Sequence, residues 1–264
     1  MAERSDYTDG EPCWADVVTP DLDAATRFYA AVFGWDFQNS GPEFGNYTMG
    51  LKNGRPVAGI TPPPPGDGPQ TPPAWSLYFA SGDVASAARR IEDGGAKVMM
   101  GPLEIPGSGH MLVAFDPTGA AFGVWQPGGH RGAAYWGEPG ALAWAELNTR
   151  DGGAADAFYR EVFGYEQEQV GDGTQFDYTV WKLGDRAVCG RLRMTDEWAD
   201  IPPHWMVYFG VDDADAAAQR ITDAGGRVRN GPFDSPYGRI VVFSDPAGAT
   251  ASVIDESRTV GGQQ

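Results

Sequence analysis

Two carboxylates open this chain's chemistry, and they stand in matched places. Asp16 follows Trp14 in Trp14-Ala15-Asp16-Val17, and Glu146 follows Trp144 in Trp144-Ala145-Glu146-Leu147. Each sits inside a short apolar run that reads as a strand, where a charge is costly to bury without a partner. Such a carboxylate can hold a cation, accept hydroxyl hydrogen bonds or act as a general base. It can also close a buried ion pair, for which Arg55, Arg186, Arg191 and Arg239 are the candidate cations. Other chemistry is sparse. The three histidines, His110, His130 and His204, lie far apart in sequence. The Gly94-Gly95 and Gly225-Gly226 pairs read as helix terminators, because no Lys-Ser/Thr follows as a phosphate loop requires. No Gly-x-Ser-x-Gly element is present.

The elements around the carboxylates occur twice. Arg27-Phe28-Tyr29 with Val32-Phe33-Gly34 returns as Ala157-Phe158-Tyr159 with Val162-Phe163-Gly164, and Trp75 with Tyr78-Phe79 returns as Trp205 with Tyr208-Phe209. These pairs share one offset of 130 residues, and Asp116-Pro117-Thr118-Gly119 returns as Asp245-Pro246-Ala247-Gly248 after a one-residue deletion. Two copies of one domain therefore fill most of the chain. The reading is a first domain over 1–127, a linker over 128–140, a second domain over 141–256 and a tail over 257–264.

Each copy halves again. A strand around Cys13–Val18 leads to a helix that Asp21 or Asp23 can cap, with Ala25, Phe28, Tyr29, Val32 and Phe33 on one face and Gly34 at its end. Three short extended runs follow. A strand at Trp75–Ala80, a helix after Asp83 and three more runs repeat the plan, and the second copy repeats both. The pattern is βαβββ, four times, an α+β chain. Pro62–Gly68 and Arg193–Pro203 tether the units within each copy, while the segment before Gly140 carries Tyr135 and Trp136 and is expected to pack on a surface.

Composition limits the partners. A formal charge of −17 repels phosphate backbones and anionic lipid headgroups, which excludes nucleic acid and membrane surfaces. No apolar run approaches a membrane span and the N-terminus has no signal-like segment, so the expected compartment is the cytoplasm. Cys13 and Cys189 occupy unrelated places in the two copies, which argues against a framework disulfide.

The βαβββ units, the Phe-Tyr…Val-Phe-Gly helix endings and the Asp-Pro-x-Gly turns resemble the vicinal oxygen chelate superfamily of glyoxalase I, extradiol dioxygenases and bleomycin-resistance proteins. The Trp-x-[Asp/Glu] opening of both halves further resembles the two-domain glyoxalase-like proteins of actinobacteria. That resemblance spans about residues 11–255 and implies four βαβββ units paired into two curved mixed sheets, each forming a ligand-holding cup. It also implies a divalent metal held by His, Gln or Glu at fixed strand positions. Here those positions carry Trp14, Ser76 and Gly123 in one half and Trp144, Met206 and Ser252 in the other. Indole has no lone pair for a metal and glycine has no side chain, so the resemblance is followed in fold but no metal or other cofactor is expected.

Strand alternation from the former ligand positions then turns Asp16, Tyr78 and Trp125 into the first cup, and Glu146, Asn148, Met206 and Tyr208 into the second. Tyr47 and Tyr178 lie on comparable runs. The candidate ligand-binding set is therefore Trp14, Tyr47, Tyr78, Trp125, Trp144, Asn148, Tyr178, Met206 and Tyr208, with Asp16 and Glu146 as candidate catalytic groups. The alternative for Trp14 and Trp144 is that they fill core space left by lost ligands. Three functions follow: metal-independent binding of an aromatic small molecule for sequestration, resistance or an accessory role in secondary metabolism; a metal-free isomerase, cyclase or hydratase using Asp16 or Glu146; and a metal-dependent lyase or dioxygenase, against which the residues speak. Fusion of the two copies supplies internally the pairing that single-domain relatives obtain by dimerising, so a monomer is expected.

Overall fold

The four units are laid down in order by a pattern of capped helices and short strands. In the computed structural model, which describes residues 4, 6–64, 72–174, 176–198 and 200–259, the first unit is β1 (Pro12–Val18), α1 (Leu22–Phe33), β2 (Asp36–Asn39), β3 (Thr48–Lys52) and β4 (Arg55–Thr61). The second is β5 (Ala74–Ala80), α2 (Val84–Asp93), β6 (Lys97–Ile105), β7 (Gly109–Phe115) and β8 (Ala121–Pro127). The third is β9 (Leu142–Thr149), α3 (Gly152–Phe163), β10 (Glu166–Val170), β11 (Tyr178–Leu183) and β12 (Arg186–Arg193). The fourth is β13 (His204–Gly210), α4 (Ala214–Asp223), β14 (Arg227–Ser235), β15 (Gly238–Ser244) and β16 (Thr250–Asp255). Part of the Pro62–Gly68 tether and the end of the 257–264 tail lie outside the described residues.

Each helix starts on an aspartate. Asp21, Asp83, Asp151 and Asp213 accept a hydrogen bond from the backbone N–H three residues on, satisfying a donor the helix leaves open. Gly34 and Gly164 end α1 and α3 in the left-handed conformation, at φ 71° and 75°, where a side chain would be strained. No helix among the described residues is long and apolar enough to cross a membrane.

Sequence alone leaves open which units pair, and the strand order answers it. Neighbouring units share one eight-stranded mixed sheet: β2-β3-β4-β1-β5-β8-β7-β6 in the first half and β10-β11-β12-β9-β13-β16-β15-β14 in the second. In the first sheet β1 and β5 run antiparallel at the centre, with Trp14 beside Tyr78 and Asp16 beside Ser76. Parallel pairing brings Gly59 of β4 beside Asp16 and Gly123 of β8 beside Tyr78. The second sheet reproduces this with Trp144 beside Tyr208, Glu146 beside Met206 and Gly190, and Ser252 beside Tyr208.

Helices join the halves crosswise. The Tyr29 hydroxyl on α1 donates to Asp245 at 3.0 Å, and Tyr159 on α3 donates to Asp116 at 3.0 Å. Each aspartate opens an Asp-Pro-x-Gly turn of the opposite half. Arg220 on α4 donates to the Val32 carbonyl and Arg90 on α2 to the Val162 carbonyl, closing the C-terminal turns of α1 and α3. Phe33 meets Phe209 and Phe79 meets Phe163, both at 5.0 Å between ring centres. One apolar core therefore runs through both halves. Residues 128–140 are bound to that core: Ala133 N–H donates to the Cys13 carbonyl, Ala134 N–H to that of Pro56 and Gly140 N–H to that of Gly210.

Candidate functional site

Alternation along β1 separates core from cup. Cys13, Ala15 and Val17 are fully buried in the shared core, while Trp14 and Asp16 line a cavity of about 420 Å³. Tyr47, Tyr78 and Trp125 form further walls, and Met49, Ile105, Met111 and Phe44 complete its apolar lining. The volume falls in the range of small-molecule sites. Asp16 sits at the base with 6% of its surface exposed. Its carboxylate accepts from the Tyr47 hydroxyl at 3.1 Å and from the Tyr78 hydroxyl at 3.5 Å. The Trp14 indole N–H in turn donates to the Tyr47 oxygen at 2.8 Å. Phenols are the partners here, and Arg186, Arg191 and Arg239, offered as ion-pair partners on sequence grounds, are engaged elsewhere with Glu11, with Asp156 and Asp177, and with Asp215 and Asp234. Burial without a cation pushes the Asp16 carboxyl up to about 6, and the two phenols pull only partly against it.

Two glycines make room for the phenols. A Cβ at Gly59 would overlap the Tyr47 hydroxyl and crowd Asp16, and a Cβ at Gly123 would overlap the Tyr78 ring. Gly190 does the same for Tyr178 in the second cup. The tyrosines occupy the space that a side chain at those glycines would take.

His130 is the residue the sequence reading missed. It belongs to the glycine-rich 128–140 segment, which offered no periodicity to place it. In the structure its backbone N–H donates to the Ser108 carbonyl and its carbonyl accepts from the Trp125 indole. The imidazole stands edge-on to Trp14 with ring centres 4.3 Å apart and lines the cavity. Burial lowers its pKa to about 4, so the ring is neutral near pH 7.

The second cup repeats the frame with different contents. The Trp144 indole donates to the Tyr178 hydroxyl at 2.8 Å, and Tyr208 donates to Glu146 at 3.1 Å. Burial raises the Glu146 carboxyl to about 7, against the pull of Tyr208, Tyr178 and Asn148. Met206, Tyr208, Ile240 and Ile254 pack together on this face, with Trp144 against them. Asn148 lies 3.5 Å from His204. Thus β9, β11 and β13 bring together the six residues singled out for this cup. Tyr47 differs from its counterpart in one respect, standing just before β3 while Tyr178 opens β11.

A divalent metal does not suit either cup. Among the described residues no three of His, Cys, Asp or Glu converge. The first cup supplies the Asp16 carboxylate and the His130 imidazole, and the second the Glu146 carboxylate with His204 beside Asn148, fewer than the three or four donors a divalent cation takes. The phenols are held well above their ordinary pKa by burial, hence protonated. The carboxylate that Gly123 replaces would collide with Tyr78. Cys189, near one former ligand position, is buried in the shared core, and burial raises its thiol.

Two eight-stranded mixed sheets, each built from two βαβββ units and the first carrying a ligand-sized cavity, define a glyoxalase-type scaffold. The chain belongs to the Glyoxalase/Bleomycin resistance protein/Dioxygenase superfamily, which it matches over residues 13–124 and 141–253. It is 42% identical, over 96% of its length and 98% of the relative's, to CFP32 of Mycobacterium tuberculosis, which bears a provisional glyoxylase name. It is 38% identical to the anthracycline biosynthesis proteins DauV of Streptomyces sp. (strain C5) and DnrV of Streptomyces peucetius, over 94% of both chains in each case. In fold it is similar to the Mn(II)-bound glyoxalase of Novosphingobium aromaticivorans, with a TM-score of 0.65 and 21% identity over 96% of this chain and 86% of that one. The homoprotocatechuate 2,3-dioxygenase of B. fuscum superposes with a TM-score of 0.67 at 16% identity, over 94% of this chain and 72% of that one.

Proposed function

We propose that this protein binds a planar aromatic small molecule in its first cup without a metal, for sequestration, resistance or an accessory role in secondary metabolism. The observation that carries the reading is the cavity of about 420 Å³ with Trp14, Tyr47, Tyr78 and Trp125 as walls and the uncompensated Asp16 at its base. Aromatic walls give large contact area at low entropic cost, and a buried carboxylate rewards a ligand that brings a hydroxyl or a cation. Resemblance to two anthracycline biosynthesis proteins along nearly the whole chain supports a fused-ring ligand.

A second reading rests on the raised carboxyls. Asp16 at about 6 and Glu146 at about 7 are placed to exchange protons near neutral pH. A carboxylate that removes a proton from one atom of a substrate and returns it at another suits an isomerase, cyclase or hydratase. One experiment separates the two. Hydroxylated polycyclic aromatics are titrated into EDTA-treated protein, tryptophan fluorescence is followed, and the compound is recovered for mass spectrometry and chromatography. Saturable quenching with the compound returned unchanged supports binding. A changed product supports the enzyme, and no saturable quenching across the panel removes both.

A further inference from the structure

Glu11 is a buried carboxylate shared by two cations. Its side chain, 4% exposed, accepts from Arg4 at 2.8 Å and from Arg186, and both guanidiniums meet the same oxygen, Oε1. Its Oε2 accepts the Thr8 N–H at 2.5 Å, so both carboxylate oxygens already have donors. Glu11 stands just before β1 of the first half, Arg186 opens β12 of the second, and Trp136 comes from the segment between the halves. With Pro12 and Val188 these residues line a cavity of about 330 Å³. It shares no lining residue with the first cup.

The fold does not require this charge. Register sets Glu146 beside Gly190 as it sets Asp16 beside Gly59, so the repeat matches Arg186 to Arg55 and Glu11 to Ala141. Ala141 is fully buried, and a methyl group closes before β9 the place that a carboxylate with two cations takes before β1. A guanidinium carries five N–H donors. Among the described residues Glu11 is the only side-chain partner of either arginine, and most of their donors are left over. No second carboxylate lines the cavity, and Asp185, the sequence neighbour of Arg186, is exposed and outside the lining. The lining therefore holds one net positive charge in a chain whose formal charge is −17. Arg4 is also held in place. Its guanidinium lies 4.5 Å from the Tyr7 ring centre and 5.8 Å from that of Trp136, and its backbone N–H donates to the Ala134 carbonyl.

We propose that this cavity binds the carboxylate of a small organic acid, with Arg4 and Arg186 donating to its oxygens and Trp136, Pro12 and Val188 against its apolar body. Size and sign agree. The volume lies at the lower end of small-molecule sites, and one net positive charge matches a monoanion. The planar N–H pairs of a guanidinium suit the two oxygens of a carboxylate. A phosphate dianion would exceed the available charge and be repelled by Glu11. The site is separate from the first cup and does not depend on what that cup binds.

The test titrates sodium benzoate by calorimetry into the full chain at pH 8, with benzamide as the neutral counterpart and inorganic phosphate as the competing anion. Benzoate binds saturably at one site per chain, and benzamide binds about tenfold more weakly or worse. Arg186→Gln, at a half-exposed position whose loss leaves Glu11 paired with Arg4, costs about fivefold or more in affinity. Arg186→Lys keeps the charge but not the planar N–H pair and falls between. Arg258→Gln removes the same charge from a surface pair with Asp215 and leaves the affinity unchanged. Thermal melts verify that the variants fold. No saturable binding of benzoate, equal affinity for benzamide, unchanged affinity in Arg186→Gln, an equal loss in Arg258→Gln, or a preference for phosphate would overturn the assignment. A crystal soaked with benzoate that shows the acid away from Arg4 and Arg186 would do the same.

Discussion

Replacing Asp16 with asparagine should stabilise this protein at neutral pH, against the usual effect of changing a buried residue. Burial raises the Asp16 carboxyl from 3.8 to about 6, so the fold prefers its protonated form. Below the unfolded value both states hold the proton and the residue costs nothing. As pH rises from there to about 6, the unfolded chain ionises more readily than the folded one and stability is lost. Above about 6 the whole cost is present, and it corresponds to about 3 kcal/mol, with about half of it already felt at pH 5. Asparagine keeps an oxygen that can accept from Tyr47 and Tyr78 and never ionises. Asp16→Asn should therefore melt about 6 °C or more above wild type at pH 8, with a clearly smaller gain at pH 5. Scanning calorimetry at the two pH values is the assay, with aromatic-ligand titration run alongside to show that binding falls as stability rises. A lower melting temperature at pH 8 would refute the reasoning, because it would mean that Asp16 closes a stabilising pair. A gain of equal size at both pH values would separate the effect from ionisation and refute it as well.

Other outcomes follow from the same geometry. Gly59→Ala and Gly123→Ala push a methyl into Tyr47 and Tyr78 and should cost about 1–3 kcal/mol while weakening ligand quenching, as urea melts and fluorescence titration will show. Tyr29→Phe and Tyr159→Phe each remove a phenol donor from a buried aspartate of the opposite half and should cost about 1–3 kcal/mol; the two bonds join separate helix–turn pairs, so the double variant should be close to additive by chemical denaturation. Light scattering should return a mass near 28.2 kDa for a monomer, and a value near twice that would contradict it.

Much of this was readable in the chain because it is local. Helix faces such as Phe28, Tyr29 and Val32, the capping aspartates and the strand alternation that sets Trp14 and Asp16 on one face all follow from spacing a few residues long. The repeat then carries each reading to its partner in the other half. What spacing does not encode is which distant groups meet. Tyr29 and Asp245 are 216 residues apart, and nothing near either one names the other. Arg191 was one of four candidate partners for a cup carboxylate, yet Asp156 and Asp177 hold it. His130 sits in a segment without hydrophobic period, so only the fold brings it to Trp14. Gly59 and Gly190 read as ordinary strand glycines until the tyrosines that take up their side-chain space are seen.

Metal-independent binding in the first cup is tested most directly by one calorimetric comparison. A hydroxylated fused-ring aromatic that quenches the protein is titrated into metal-stripped protein in EDTA and into protein given excess Mn(II) with no chelator, in wild type and in Trp14→Ala. One site of equal affinity in both conditions, weakened measurably in Trp14→Ala, is the expected result. Binding that appears only with Mn(II), at one metal per chain, would contradict it.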